Sequence, residues 1–167
     1  MTIETRRRSL FDGFRGGSAP VRPPFALPDQ EFVEVCERCG DCESVCRPNI
    51  VVRGRAGFPS IDFSRGACSF CGACADACRH GAFVDDRSGA PWQRVAAATT
   101  ACLEAKGISC RLCESWCEPR AIRFRPTLTG SQMVVSPEAC TGCGACVAPC
   151  PAGAIAIEDF TQGRGAA

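Results

Sequence analysis

The cysteines of this chain constrain its fold more than any other feature, because they recur in four groups of four. The last group has the spacing C-x2-C-x2-C-x3-C and is followed at once by proline, in the stretch CTGCGACVAPCP from Cys140 to Pro151. Three thiolates on a tight, glycine-containing loop point at one centre, whereas the fourth, a turn further on, points elsewhere. This spacing is typical of a cubane iron–sulfur cluster whose neighbour takes the fourth cysteine.

Two other groups repeat this spacing, and one departs from it. The regular groups are Cys36, Cys39, Cys42, Cys46; Cys68, Cys71, Cys74, Cys78; and Cys140, Cys143, Cys146, Cys150. The third group is Cys102, Cys110, Cys113, Cys117, with seven residues instead of two between its first pair. The first cysteines recur after 32, 34 and 38 residues, which indicates one structural unit used four times.

Cysteine at this density has three explanations, which are disulfides, zinc sites and iron–sulfur clusters. Disulfides need oxidising surroundings, and no apolar signal core follows the N-terminal arginines. Zinc sites favour separated C-x2-C pairs over three cysteines in one run. The spacing therefore favours [4Fe–4S] clusters, and we expect four of them on the sixteen cysteines.

Short apolar segments follow each group and precede groups two and four, so each unit is predicted to be a strand, a cysteine loop, a helical turn and a strand. One unit cannot enclose a cluster, and adjacent units should therefore pair. We predict an α+β, ferredoxin-like fold of two tandem two-cluster modules, residues 31–90 and 99–160. Residues 91–98 are the predicted linker, and residues 161–167 are a flexible tail. A short connecting helix is expected over Trp92–Ala101, which overlaps the linker and the start of the second module.

Within each module, the fourth cysteine of one unit is expected to complete the cluster of the other unit. The predicted ligand sets are Cys36/Cys39/Cys42/Cys78, Cys68/Cys71/Cys74/Cys46, Cys102/Cys110/Cys113/Cys150 and Cys140/Cys143/Cys146/Cys117. The third set is the least regular, since residues 103–109 must bulge out for Cys102 to reach the same centre as Cys110. The alternative is that Cys102 is a buried structural thiol and that the third cluster is labile, three-iron or absent.

Two features beside the third group are candidates for functional roles. Trp116 lies between Cys113 and Cys117 and is expected to shield a cluster from water. Arg123 and Arg125 share one face of the following strand. That face is either solvated or a docking patch for an acidic partner.

Residues 1–30 contain no cysteine and are predicted to form a basic, mostly extended N-terminal arm, because glycines and prolines interrupt any regular element. The segment VRPPF, residues 21–25, is expected to lie against the folded part or against a partner. Arg7 and Arg8 superficially match a twin-arginine export motif, but the required apolar stretch does not follow. The arm is a solvated tail or a recognition arm, with Arg7, Arg8 and Arg22 as candidate partner contacts.

Charge and motif content exclude several functions. The formal net charge of +1 gives no indication of nucleic-acid binding, and the longest apolar run is too short to insert into a membrane. The single histidine excludes a catalytic triad within the chain, and no dinucleotide-binding glycine motif is present. We therefore expect a monomeric protein that is not an enzyme.

The chain resembles the NapF family, the ferredoxin-type proteins encoded with bacterial periplasmic nitrate reductases. The resemblance rests on Arg7-Arg8, on VRPPF at residues 21–25, on the four cysteine groups with the long third gap, and on FRPTL at residues 124–128. It implies a cytoplasmic protein that binds the precursor of the molybdenum-containing catalytic subunit and assists loading of that subunit's iron–sulfur cluster before export. The alternatives are an electron-transfer ferredoxin that serves a reductase and a subunit of a larger redox enzyme.

Overall fold

A computed structural model describes residues 20–160 and shows mixed α and β content, as predicted. Its helices are α1 Asp29–Val35, α2 Asp41–Ser44, α3 Ala73–Asp76 and α4 Leu112–Ser115. Its strands are β1 Val51–Arg53, β2 Pro59–Ile61, β3 Arg94–Ala98, β4 Ile122–Pro126, β5 Ser131–Val135 and β6 Ile155–Asp159. Single 3-10 turns lie at Arg55–Gly57 and Glu104–Lys106. Arg7 and Arg8, like the predicted tail, lie outside the described residues.

The four cysteine units share one backbone turn after their fourth cysteine, and three of them share a short helix. Helices α2, α3 and α4 each begin next to the third cysteine of their unit. Three residues after each fourth cysteine the chain turns through a positive φ, at Asn49 (56°), Gly81 (71°), Arg120 (55°) and Gly153 (56°). Repetition of this uncommon conformation at four equivalent positions confirms the repeat that the sequence indicates.

The second half of the chain contains two antiparallel pairs of strands. Strand β4 pairs with β5, and β3 pairs with β6 along its whole length, from Arg94 opposite Asp159 to Ala98 opposite Ile155. The connecting helix predicted over Trp92–Ala101 is therefore wrong. Alanines favour a helix locally, but here the backbone groups bond to a strand distant in sequence, and Ala96 is buried against the core.

In the first half, the segment before the first cysteine group pairs with a distant segment, as β3 pairs with β6 in the second half. Strands β1 and β2 pair, and residues 25–27 lie beside residues 82–84. Leu27 N–H donates to Ala82 O at 3.1 Å, and Val84 N–H donates to Phe25 O at 2.9 Å. Of the two positions predicted for VRPPF, the structure has the one against the folded part. Helix α1 also begins within the segment predicted as an arm.

Arg22 is held inside the first half, with a side chain only 13% exposed. Its Nε lies 2.7 Å from Asp29 Oδ1, and its Nη1 donates to Pro59 O at 3.0 Å. Its guanidinium carbon lies 5.1 Å and 5.4 Å from the ring centres of Phe32 and Phe58. These contacts engage the guanidinium within the fold and give Arg22 a structural role, while its contact with a partner stays a prediction.

The two halves pack against each other through aromatic side chains and a close backbone approach. Phe63 is buried and lies over Gly144, where an added Cβ would overlap the ring. Trp92 contacts Phe63 edge-on, with 6.2 Å between ring centres, and its Nε1 donates to Thr141 O at 3.0 Å. One apolar core therefore extends through both halves; its members include Ile50, Val51, Ile61, Phe63, Ala96, Ile122, Ile155 and Ile157.

Replacing Arg22 with alanine is expected to lower stability by about 1–3 kcal/mol, because a charge-assisted hydrogen bond and two ring contacts are lost. Thermal unfolding followed by circular dichroism measures the effect. Arg79→Ala is the control, since Arg79 is exposed and makes no ion pair among the described residues. Unchanged stability together with weakened partner binding would return Arg22 to a partner surface.

Candidate metal centres

Four cavities in the structure are each lined by four cysteines. The first has Cys36, Cys39, Cys42 and Cys78; the second has Cys46, Cys68, Cys71 and Cys74; the third has Cys102, Cys110, Cys113 and Cys150; the fourth has Cys117, Cys140, Cys143 and Cys146. In this order, the space free of protein atoms at the sites is about 460, 360, 290 and 300 Å³, open solvent at their mouths included. The structure thus brings the sixteen cysteines together in the four groupings expected from their spacing.

The arrangement of the thiols at these sites fits a multi-iron cluster better than a single ion. All sixteen cysteines lie within residues 20–160, and none of them forms a disulfide. Over the same residues, no three His, Cys, Asp or Glu side chains converge closely enough to hold one metal ion. Four thiols that surround one cavity without converging on a single point are instead the donor set that a [4Fe–4S] cluster requires.

The regular cysteine loops turn inward because of two left-handed residues on either side of the second cysteine. The residue before it has φ of 56° at Arg38, 54° at Phe70 and 70° at Gly142. The residue after it is glycine, with φ of 89° at Gly40, 76° at Gly72 and 79° at Gly144. Glycine adopts this conformation without the strain that a Cβ introduces, so three cysteines face one cavity.

Comparison with known proteins gives the family. Residues 61–84 match the 4Fe-4S binding domain family, and residues 106–154 match the 4Fe-4S dicluster domain family. The ferredoxin-type protein NapF of Escherichia coli K12 is 41% identical over 160 residues, covering 95% of this chain and 97% of the relative. The NapF of Haemophilus influenzae is 45% identical over 143 residues, covering 85% and 81%. The chain belongs to the ferredoxin-type NapF family.

A more distant relative is the methylamine utilization ferredoxin-type protein MauM of Methylorubrum extorquens, which is 35% identical over 162 residues and covers 83% of this chain and 71% of the relative. Membership of the NapF family confirms the prediction of a repeated, metal-binding, iron–sulfur protein of the ferredoxin type that is not an enzyme. Among residues 20–160, no helix has the length and apolar character needed to cross a bilayer.

Backbone N–H groups in this NapF-family chain donate to cysteine sulfur at three of the sites. Phe70 N–H lies 3.4 Å from Cys68 Sγ, and Ala154 N–H lies 3.2 Å from Cys150 Sγ. Ala121 N–H makes the equivalent 3.2 Å contact with Cys117 Sγ. Such bonds stabilise the thiolate, and at an iron–sulfur site they raise the reduction potential.

Burial disfavours the thiolate form of the inward-facing cysteines. It raises the pKa of Cys74 and Cys146 to about 12, and neighbouring cysteines add to the shift. Burial likewise raises the pKa of Cys42, Cys68 and Cys113 to about 11. These thiols are protonated at neutral pH without metal, so cluster binding must displace their protons.

The four cavities form a row whose order differs from the chain order. Burial is the main cause of the raised pKa of Cys74 in the second cavity. Cys42 of the first cavity lies close enough to raise the pKa of Cys74 further. Between the second and fourth cavities, Cys68 N–H donates to Cys143 O at 2.8 Å. In the same way, burial is the main cause of the raised pKa of Cys146 in the fourth cavity, and Cys113 of the third cavity raises it further. The spatial order is first, second, fourth, third, so the third cavity lies at one end.

The third site is organised by a buried carboxylate that sequence reasoning missed. Glu104 lies in the insert between Cys102 and Cys110 and is 7% exposed. Its Oε2 accepts from Cys110 N–H at 2.6 Å, and its Oε1 accepts from Arg111 Nε at 3.2 Å. The Cys110 N–H holds the pKa of the Glu104 carboxyl below its ordinary value, so the carboxylate is charged at neutral pH.

This carboxylate takes the place of the regular loop backbone. Residues 109 and 111, on either side of Cys110, do not have the positive φ found in the other three loops. Gly107 turns the insert at φ 78°, and Gly130 lies so close to the backbone of Glu104 that an added Cβ would overlap it. The insert bulges out as predicted, and Cys102 and Cys110 line one cavity.

The role predicted for Trp116 is wrong. Its side chain is 60% exposed and does not appear among the residues that line the third or fourth cavity. Trp116 follows directly after helix α4, and it is Cys113 and Cys117 that line the third and fourth cavities. The burial pattern of β4 does follow the expected alternation, with Ile122 buried and Arg123 and Arg125 exposed.

Glu104→Ala is expected to lose roughly four irons per chain, one cluster's worth, because Cys110 loses the acceptor that fixes its position. Glu104→Gln keeps a neutral acceptor and should lose less. Iron content after anaerobic reconstitution and gel filtration measures both. Glu118→Gln is the matched control, since Glu118 is exposed and without an ion pair in the described part of the chain. Full iron content in both Glu104 variants would contradict the assignment.

Complete iron removal should unfold the chain, because the interior is built around cavities that only a bound group fills and metal binding is coupled to folding. After anaerobic chelation, the amide spectrum in nuclear magnetic resonance is expected to collapse into a narrow range, and circular dichroism should show loss of strand signal. A dispersed spectrum with cooperative thermal unfolding would be the contrary result.

Proposed function

We propose that this chain is a cytoplasmic polyferredoxin that assists maturation of the periplasmic nitrate reductase. Its partner would be the catalytic-subunit precursor, which receives its iron–sulfur cluster before export. The observation that carries the proposal is the 41% identity to a ferredoxin-type NapF protein over 95% of the chain. Proteins of the NapF family are encoded with bacterial periplasmic nitrate reductases, and we therefore take that reductase as the enzyme that this chain serves.

The proposal includes four [4Fe–4S] clusters, each held by one of the four-cysteine cavities. The ligand sets are Cys36/Cys39/Cys42/Cys78, Cys68/Cys71/Cys74/Cys46, Cys102/Cys110/Cys113/Cys150 and Cys140/Cys143/Cys146/Cys117. When bound, such clusters supply one-electron redox chemistry. The protein supplies the thiolates, the N–H donors beside the sulfurs and the apolar walls that limit access of water.

The irregular third site supports a maturation role. The regular sites are shaped by backbone conformation, whereas the position of Cys110 depends on the side chains of Glu104 and Arg111. Arg111 is 51% exposed, so a partner has access to one member of this pair. A site that depends on an accessible ion pair is easier to open than one built into the main chain.

The row of cavities favours a second function, electron transfer to a reductase. Adjacent sites in a continuous row suit a carrier without further assumption. An electron carrier, however, requires every site in the row to stay intact. The third site is easier to open than the others, because side chains instead of backbone conformation hold Cys110 in place. The two functions also differ in their preferred partner, since a carrier acts on the mature reductase.

One anaerobic experiment separates the two functions. The reconstituted protein is mixed with purified precursor lacking its cluster, and separately with mature catalytic subunit. Maturation predicts tighter binding to the precursor and a gain of nitrate reductase activity by the precursor. Chelated, iron-free protein is the control and should give no activity. Equal affinity for both forms without recovery of activity would exclude the maturation role, and rapid reduction of the mature subunit would then favour the carrier.

A further inference from the structure

The outer face of the cysteine helix is strongly apolar in the third unit alone. The residues immediately before the third and fourth cysteines are Leu112 and Trp116, which are 44% and 60% exposed. The equivalent pairs are Asp41 and Val45, Ala73 and Ala77, and Ala145 and Pro149. Because none of the other three units has two large apolar residues at these positions, and only Val45 among them is a large apolar residue, the cavity does not require two such side chains there.

Two more exposed apolar side chains lie on neighbouring segments. Ile108, in the insert, is 54% exposed, and Leu128, in the turn between β4 and β5, is fully exposed. The segments touch, since a Cβ at Gly107 would lie 3.0 Å from Thr129 O. We call Ile108, Leu112, Trp116 and Leu128 the apolar patch. The other exposed large apolar residues of the described chain are three valines, each 40% exposed or less.

Cationic side chains accompany the apolar patch. Between residues 103 and 130 there are five cationic and three acidic side chains, and Glu104 is buried. Lys106, Arg120 and Arg125 are exposed and make no ion pair within residues 20–160. Arg111 is engaged by the buried Glu104, whereas Arg123 approaches Glu114 only at 3.8 Å, a separation that contributes little at a surface. Positive charge is therefore available to a partner around the patch.

We propose that the apolar patch is the docking surface for a polypeptide that presents apolar side chains beside carboxylates. The inference rests on the proposed function and assigns this surface to the catalytic-subunit precursor. Tryptophan and arginine are both enriched at the centres of protein interfaces, and this unit exposes both. The patch borders the terminal third cavity, which Leu112 lines, so docking here brings the partner beside that site and its Glu104–Arg111 pair.

A second copy of the chain fits this surface less well. A symmetric dimer through the patch would bring Lys106, Arg120 and Arg125 of one copy towards the same residues of the other. Like charges juxtaposed at an interface disfavour association. A partner with carboxylates around an apolar centre meets no such repulsion.

The double variant Trp116→Ser/Leu128→Ser tests the patch, because neither side chain lines a cysteine cavity. The matched control is Val45→Ser/Val84→Ser, in which Val45 is the first-unit equivalent of Trp116 and both valines are exposed. Reconstituted proteins are titrated with purified precursor, and iron content shows that all sites are filled. The patch variant should bind at least about tenfold more weakly, whereas the control should stay within about twofold of the original chain.

The charge requirement is tested separately. Arg125→Glu should weaken binding and reduce its dependence on salt, because one cation–carboxylate interaction is lost and a like-charge contact replaces it. Arg79→Glu makes the same charge change in the first half of the chain and should leave binding unchanged.

The outcomes distinguish the two levels of the proposal. If the original chain does not bind the precursor, the proposed function fails, and the docking assignment falls with it. If the original chain binds and the patch variant binds equally well, the docking assignment alone is overturned. Sedimentation that shows dimers of the original chain but not of the patch variant, with precursor binding unchanged, would assign the surface to a second copy instead.

Discussion

The crossing of the fourth cysteine from each unit to its neighbour is the constraint on which the fold depends. No unit closes a cavity with its own four cysteines, because the helical turn before the fourth cysteine points that residue away from the other three. The strands are short and the sheets have two strands each, so they supply little independent stability. Pairing of units is thus imposed by thiol geometry, and the apolar core fills the space between paired units.

Sequence spacing predicted the groupings of the cysteines well, because both the spacing and the loop shape are local properties. Sequence reasoning was wrong where the conformation of a segment depends on backbone pairing with a segment distant in sequence. The alanines of β3 favour a helix by themselves, and only the backbone of β6, some sixty residues away, makes them a strand. For residues 25–27 the sequence predicted a position against the folded part but not the pairing with Phe83, which follows two cysteine groups. In both cases the partner segment lies after further cysteine groups, so local sequence does not identify it.

The third unit shows a different limit of sequence reasoning. The seven-residue gap signals an irregular loop, but nothing in the spacing says which residue compensates for it. Glu104 does so through a carboxylate placed by the contact of the insert with the β4–β5 turn, at Gly107 and Gly130. Trp116 was misjudged because a tryptophan between cysteines suits shielding as well as exposure. The structure decides between the two, since Cys113 and Cys117 line cavities and Trp116 is 60% exposed.

These departures coincide in one region, and their coincidence has a physical consequence. The insert, the buried carboxylate and the apolar patch all belong to the unit whose cavity ends the row. At the opposite end, the first cavity is bordered by regular backbone, and the residues equivalent to Leu112 and Trp116 are Asp41 and Val45. The two ends of the row are therefore chemically different. A symmetric relay has no need of this difference, whereas a protein that presents one particular site to one particular partner does.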